Sequence, residues 1–112
     1  MNVVVFGATG MIGAGVLIEC LADPRVRSVL TIARSAISRS HAKLREVRHD
    51  DFLDFSRLRT DFARCDACFF CLGISSIGMS ESAYTRVTHD VALAAAREMV
   101  AANPQITFCF VS

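Results

Sequence analysis

The sequence predicts an α/β fold: a parallel sheet with helices on both faces, three layers in all. Two observations predict it. Short apolar or β-branched runs alternate with stretches of helical periodicity along the chain, the pattern of strands joined by right-handed crossovers. The first such run stops at Gly7-Ala8-Thr9-Gly10-Met11-Ile12-Gly13, a glycine-rich turn set between a strand and a helix. At 112 residues the chain has room for one domain, 1–112. With 53% apolar and 21% charged residues, it has apolar surface enough to offset the entropy of ordering, which excludes disorder.

Each element follows from its own residues. Asn2 to Phe6 is a β-branched run ended by Gly7, a strand buried on both faces. Gly10 to Leu21 places Ile12, Val16, Leu17 and Cys20 on one helix face, and Asp23-Pro24 ends it. Ser28 to Ala33 is the second strand. Residues 35–44 are polar, Ser-rich and basic, a loop with at most a turn of helix. Leu44 to Arg48 is a weak third strand, followed by Asp50-Asp51. Asp54 to Ala63 reads as a short helix through Phe55, Leu58 and Phe62, and Ala67 to Leu72 as a strongly apolar fourth strand ending at Gly73.

Ser80 can cap the next helix, and Glu81 favours its positive end. That helix runs to about Ala102 with Tyr84, Val87, Val91, Ala94, Ala95 and Met99 near one stripe, and Asn103-Pro104 closes it. Ile106 to Val111 is the fifth strand, and Ser112 is the last residue. The expected strand order is 3-2-1-4-5. Further helices usually cover both faces of such a sheet, so the chain reads as cut short after its fifth strand.

The glycine turn carries the sharpest chemistry. Gly7 makes the tight strand-to-helix turn, Gly10 lets backbone approach a pyrophosphate, and Gly13 lets the helix pack closely. Free amide groups of the first helical turn, with Thr9, Met11 and Ile12 among them, then face the phosphates. This is the cofactor-binding turn of a Rossmann-like domain. A P-loop is excluded, because no Lys-Ser or Lys-Thr follows Gly13. Sites that choose NAD place an Asp or Glu at the end of the second strand, on the ribose 2′-hydroxyl. Here that strand ends Ala33-Arg34-Ser35. Arg34 can pair with a 2′-phosphate and Ser35 can add a hydrogen bond, so the expected cofactor is NADP, with NAD the alternative. Arg34 as a solvated strand-end charge is the plainer reading.

These residues resemble the short-chain dehydrogenase/reductase superfamily in its atypical branch. The spacing of Gly7, Gly10 and Gly13 is the superfamily's. Asp66 to Gly73 (Asp-Ala-Cys-Phe-Phe-Cys-Leu-Gly) and Tyr84 to Val87 (Tyr-Thr-Arg-Val) are similar to Tat-interacting-protein/NmrA-like and nucleoside-diphosphate-sugar-epimerase-like members. The resemblance covers essentially the whole chain but only the N-terminal part of a family domain. It implies that Asp51 and Phe52 contact adenine, and that Leu72 and Gly73 lie beside the adenosine and ribose. It also implies that the helix beginning near Glu81 packs at a dimer interface. Family enzymes use a Ser just after the fifth strand, and a Tyr-x-x-x-Lys on a later helix as proton donor and its pKa-lowering partner. Ser112 falls near the Ser position. The only tyrosine, Tyr84, is followed four residues later by Thr88, so the usual donor is absent from these residues.

Other constellations have plain readings. Cys65, Cys68 and Cys71 form two CxxC patterns, but residues three apart on a strand point to opposite faces. They cannot converge on one metal, so the five cysteines, with Cys20 and Cys109, read as reduced and mostly buried in a reducing compartment. His41, His49 and His89 carry no metal spacing. His49 reads as a surface residue, or with Asp50 as a supporting pair behind the adenine pocket. The basic stretch Arg34, Arg39, Lys43, Arg45 and Arg48 lacks interleaved aromatics and reads as a solvated loop, not a nucleic-acid site. A net charge of +1 gives no field for nucleic acid or an anionic membrane. No apolar run approaches the roughly 20 residues that cross a bilayer, and the N-terminus lacks a signal's basic region, so a soluble cytoplasmic protein is expected. The Ala-rich helix 81–102 packs on the sheet or against a second copy. The function expected is an NADP(H)-binding oxidoreductase-like or epimerase-like domain. The alternatives are a non-catalytic NADP(H) sensor and a truncated fragment without function.

Overall fold

The computed structural model describes residues 1–37, 39–72 and 80–111, with the backbone alone for 81–85. The expected site residues Gly73 and Ser112, and the side chain of Tyr84, lie outside the described residues. The elements run β1 (Asn2–Phe6), α1 (Met11–Ala22), β2 (Ser28–Ala33) and β3 (Leu44–Arg48). A 3-10 turn (Ser56–Leu58) then leads into α2 (Arg59–Phe62), followed by β4 (Ala67–Phe70), α3 (Glu81–Ala102) and β5 (Thr107–Phe110). The strands form one parallel sheet in the order β3-β2-β1-β4-β5, the order the sequence predicts. Val4 pairs with Leu30 on one side and Cys68 on the other, and Phe70 pairs with Phe110.

Alternation along the strands sends side chains into two cores. Val3, Val5 and Val29 pack with Leu17 and Cys20 of α1. Val4, Phe6, Ile32, Cys68 and Phe70 pack on the opposite face with Leu58, Phe62, Val91, Ala95 and Met99. Phe6 is the aromatic hub there, 5.5 Å from Phe55 edge-on and 5.2 Å from Phe70. At the amino ends of the strands, the Asn2 amide donates to Asp66 Oδ2 (2.7 Å), its side chain donates to the Arg64 carbonyl, and Ser28 Oγ donates to Asn2 Oδ1. The side-chain bonds that tie β1, β2 and β4 to one another lie at that end.

Four expectations need correcting. The buried face of α1 is Gly13, Leu17, Cys20 and Leu21, while Ile12 is 52% exposed. A Cβ on Gly13 would overlap the carbonyl oxygen of Gly7, so that contact sets the rotation of the helix, and a glycine gives no hydropathy signal. β4 ends at Phe70 and β5 at Phe110, because Cys71 and Val111 bond the sheet only through their amides, to Phe6 and Phe70. Cys109 is exposed, since β5 is an edge strand whose α1-side face has no helix among the described residues. His49 is buried, not a surface residue. Among the described residues no helix is long and apolar enough to cross a membrane.

Candidate functional site

The site grows from the turn between β1 and α1. Gly7 has φ +79°, where L side chains are strained, and a Cβ there would come within 2.6 Å of the Cys71 carbonyl. Gly7 and Gly13 are thus demanded by the protein's own packing. Gly10 is not. Its backbone is extended (φ −79°, ψ 169°), and a Cβ would meet only the Gly7 carbonyl oxygen at an ordinary 3.5 Å. Gly10 is also the N-cap of α1, so no side chain caps the helix, and its first turn holds no acidic residue. The amides of a first helical turn have no intrahelical acceptors and carry the positive end of the dipole. A fold that leaves them uncapped, behind a glycine that packing does not require, has the cradle a phosphate group needs.

From this turn a cleft of about 600 Å³ extends across the carboxyl ends of the strands. It brings together Gly7 and Thr9 from the turn, Arg34 and Ser35 after β2, Asp51 and Phe52 after β3, and Leu72 after β4. These come from four separate stretches of sequence. Gly10 and Gly13 do not line the cleft, and Met11 and Ile12 face a wider groove of about 1120 Å³ along the other side of α1. Residues that sequence reasoning did not place here are Ile32, Ala33 and Leu53, and, from α3, Val87 and Val91; Asp50, read as a supporting residue, lines the cleft itself. The α3 pair was legible as part of a buried stripe. That the stripe's end forms a cleft wall depends on how α3 crosses the sheet, which its sequence does not reveal.

Arg34 is exposed, with its guanidinium carbon 5.4 Å from the centroid of the buried Phe52 ring. Among the described residues no carboxylate forms an ion pair with Arg34, although Asp50 and Asp51 line the same cleft. Asp51 Oδ1 accepts from the Leu53 amide (3.0 Å), an Asx turn that holds Phe52 at the wall. Behind this loop lies His49, buried where the first reading of the sequence has it at the surface and the second has it behind the pocket. Its Nε2 lies 2.7 Å from both the Asp51 and Asp54 carbonyl oxygens, and Arg57 Nη2 approaches its Nδ1 at 3.1 Å.

Among the described residues no activated nucleophile stands near the cleft. Burial pushes the thiol of Cys71 above its ordinary pKa, as it does for Cys20 and Cys68, and Cys65 is pushed up to about 11. Lys43, the single lysine, donates to the Asp23 carbonyl (3.1 Å) at the amino end of the sheet, remote from the cleft. Among the described residues no cluster of three or more His, Cys, Asp or Glu is placed to hold a metal ion.

A family model, that of the NAD dependent epimerase/dehydratase family, matches residues 3–112. The chain belongs to this family. No curated protein sequence matches this family member. Solved structures do. A uronate dehydrogenase mutant from Agrobacterium tumefaciens complexed with NAD superposes with a TM-score of 0.73 at 22% identity, over 99% of this chain and 40% of that one. The UDP-glucose 4-epimerase of Thermotoga maritima with UDP-glucose gives 0.75 at 17% identity, over 98% and 37%. A short chain dehydrogenase from Burkholderia cenocepacia in complex with NADP gives 0.67 at 18%, over 90% and 46%. At these identities the likeness establishes the fold. This epimerase/dehydratase-family chain spans less than half the length of each of the three.

Proposed function

We propose that the cleft binds NADP(H), with the diphosphate on the α1 turn and the adenosine half between Arg34 and the Asp51-Phe52 loop. The observation that carries this reading is Gly10: an uncapped helix start behind a glycine that packing does not need, next to a cleft that runs from Gly7 and Thr9 to Arg34, which has no ion-pair partner among the described residues. Thr9 and Ser35 add hydroxyls along that path, and Leu72, with Gly73 after it, borders the ribose. Met11, Ile12 and Gly13 contribute backbone amides. The 2′-phosphate preference rests on Arg34 and Ser35 standing where NAD sites carry a carboxylate. Of the relatives, one was solved with NAD and another with NADP, so both arms belong in the test.

In this reading the chain is the cofactor-binding part of an oxidoreductase or epimerase-like enzyme of the atypical short-chain dehydrogenase/reductase type. The nicotinamide supplies or accepts hydride when bound. Ser112 orients a substrate carbonyl, and a Tyr-Lys pair would come from further chain.

Thermal unfolding with NADPH and NADH in parallel tests the proposal. A ligand at 100 times its Kd adds about 2.7 kcal/mol of stability. NADPH is expected to shift Tm more than NADH, and Arg34→Ala to erase the difference. Equal shifts in the unmodified chain would remove the 2′-phosphate reading, and no shift with either would remove the dinucleotide reading itself.

A further inference from the structure

His49 lies at the end of β3, 5% exposed, and its ring uses every polar atom it has. One face stacks on Phe55, with centroids 5.1 Å apart and planes at 28°. Nε2 lies 2.7 Å from two carbonyl oxygens, those of Asp51 and Asp54. Both are acceptors, so Nε2 is the protonated nitrogen and shares its hydrogen between them. Nδ1 then accepts from Arg57 Nη2 at 3.1 Å, and the same Nη2 donates to the Arg48 carbonyl at 2.8 Å. The neutral Nε2–H tautomer satisfies all of these contacts. The loop is wound around the ring: the Asp54 amide donates to the Asp51 carbonyl, and the Leu53 amide to the Asp51 carboxylate. Held in that winding, Asp51 and Phe52 form the far wall of the cleft.

We infer that His49 is a positioning residue for the adenine end of the dinucleotide, its Nε2–H fixing the loop that presents Asp51 and Phe52 to the cleft. The inference rests on the dinucleotide reading above. It goes further by assigning a role to a side chain that does not line the cleft. The chemistry points to this one group because loop amides can rearrange singly, whereas one N–H facing two carbonyls three residues apart sets the loop's width.

The test uses the 112-residue chain and three probes measured by calorimetry. Adenosine 2′,5′-bisphosphate and 5′-AMP report the adenine end, and inorganic pyrophosphate reports the glycine turn. His49→Phe keeps the stack on Phe55 and removes the donor. It is expected to weaken both adenosine probes about tenfold while pyrophosphate binding stays within about twofold. His49→Gln, which returns an N–H at similar reach, should recover most of that loss. Arg57→Met, which frees Nδ1, should weaken the adenosine probes in the same direction by about threefold. If His49→Phe does not fold, the glutamine and Arg57→Met variants carry the test. Adenosine binding unchanged in the folded variants overturns the inference, as does an equal loss for all three probes, the mark of general destabilisation. Failure of the unmodified chain to bind any probe overturns the dinucleotide reading and this inference with it.

Discussion

Three glycines in one turn are held in place by different forces, and substitution separates them. Gly13→Ala forces a Cβ into the carbonyl oxygen of Gly7, a backbone atom that cannot swing aside as a flexible side chain can. Overpacking of this kind costs about 3 kcal/mol, and the variant should lose that much in chemical denaturation. Gly10→Ala meets no such contact and keeps an extended backbone, so its stability should stay within about 1 kcal/mol of the parent. Dinucleotide affinity in that variant should nonetheless fall more than tenfold, since the methyl group stands where the diphosphate must approach. A Gly10→Ala chain that binds normally would make the turn a packing device and nothing more. The pattern of glycines was legible in the sequence because turn chemistry is local. His49 was not, because a histidine before Asp50-Asp51 reads as one more polar loop residue. Only the return of the chain at Asp54 and Arg57 turns it into a buried hub.

Strands declared themselves more sharply than helices, since β1, β2 and β3 have the limits their apolar and β-branched runs indicate. Helix orientation was less legible: the contact that rotates α1 involves Gly13, and α3 buries Val91, Ala95 and Met99 while Val87 stays 36% exposed at the cleft. Joints between elements were invisible for the same reason, because they join distant residues. One such joint ties α2, β4 and α3. Asn103 Nδ2 donates to the Cys65 carbonyl (2.8 Å) while its Oδ1 accepts from the Gln105 amide, and Arg59 pairs with Glu98 at 2.6 Å. Asn103→Ala should lower stability by about 1–2 kcal/mol in urea unfolding, leaving a carbonyl without its donor. The Cys65 thiol at this joint is buried and donates to the Asp61 carbonyl, and burial holds its pKa at about 11 against an ordinary 9.0. Below pH 9 the thiol is neutral whether folded or unfolded, and its contribution is intact. Between about pH 9 and 11 the unfolded chain loses the proton while the folded chain keeps it, so stability falls as pH rises, by at most about 1.4 kcal/mol per unit from this group. Cys65→Ala should flatten that part of the stability–pH curve, and an unchanged slope would show that other groups set it.

The sheet divides the labour between its two ends. At the amino ends, Asn2, Ser28 and Asp66 lock β1, β2 and β4 together, and the N-terminal amino group donates to the Arg25 carbonyl (3.0 Å). At the carboxyl ends, residues just after β1, β2, β3 and β4 line the cleft. The topological switch follows from the order β3-β2-β1-β4-β5: β1 sends its helix to one face, and the connection before β4 covers the other, so a crevice must open beside β1. That much was legible in the sequence, because alternation of strands and helices dictates it. Which wall residues meet there was only partly so, since α3 reaches the cleft from about 80 residues beyond the turn. A ligand seated in the crevice touches residues from stretches far apart in sequence, so its binding energy is felt in those stretches. Amide exchange should therefore slow on NADPH binding at residues 7–13, 34–35 and 50–53 and in the first half of α3. β5 and the Asn103 joint, which contribute no residue to the cleft, should exchange at unchanged rates. Slowing spread evenly over all strands would instead mean that the ligand acts by global stabilisation. Slowing confined to the groove beside Met11 and Ile12 would place the ligand on the wrong side of α1.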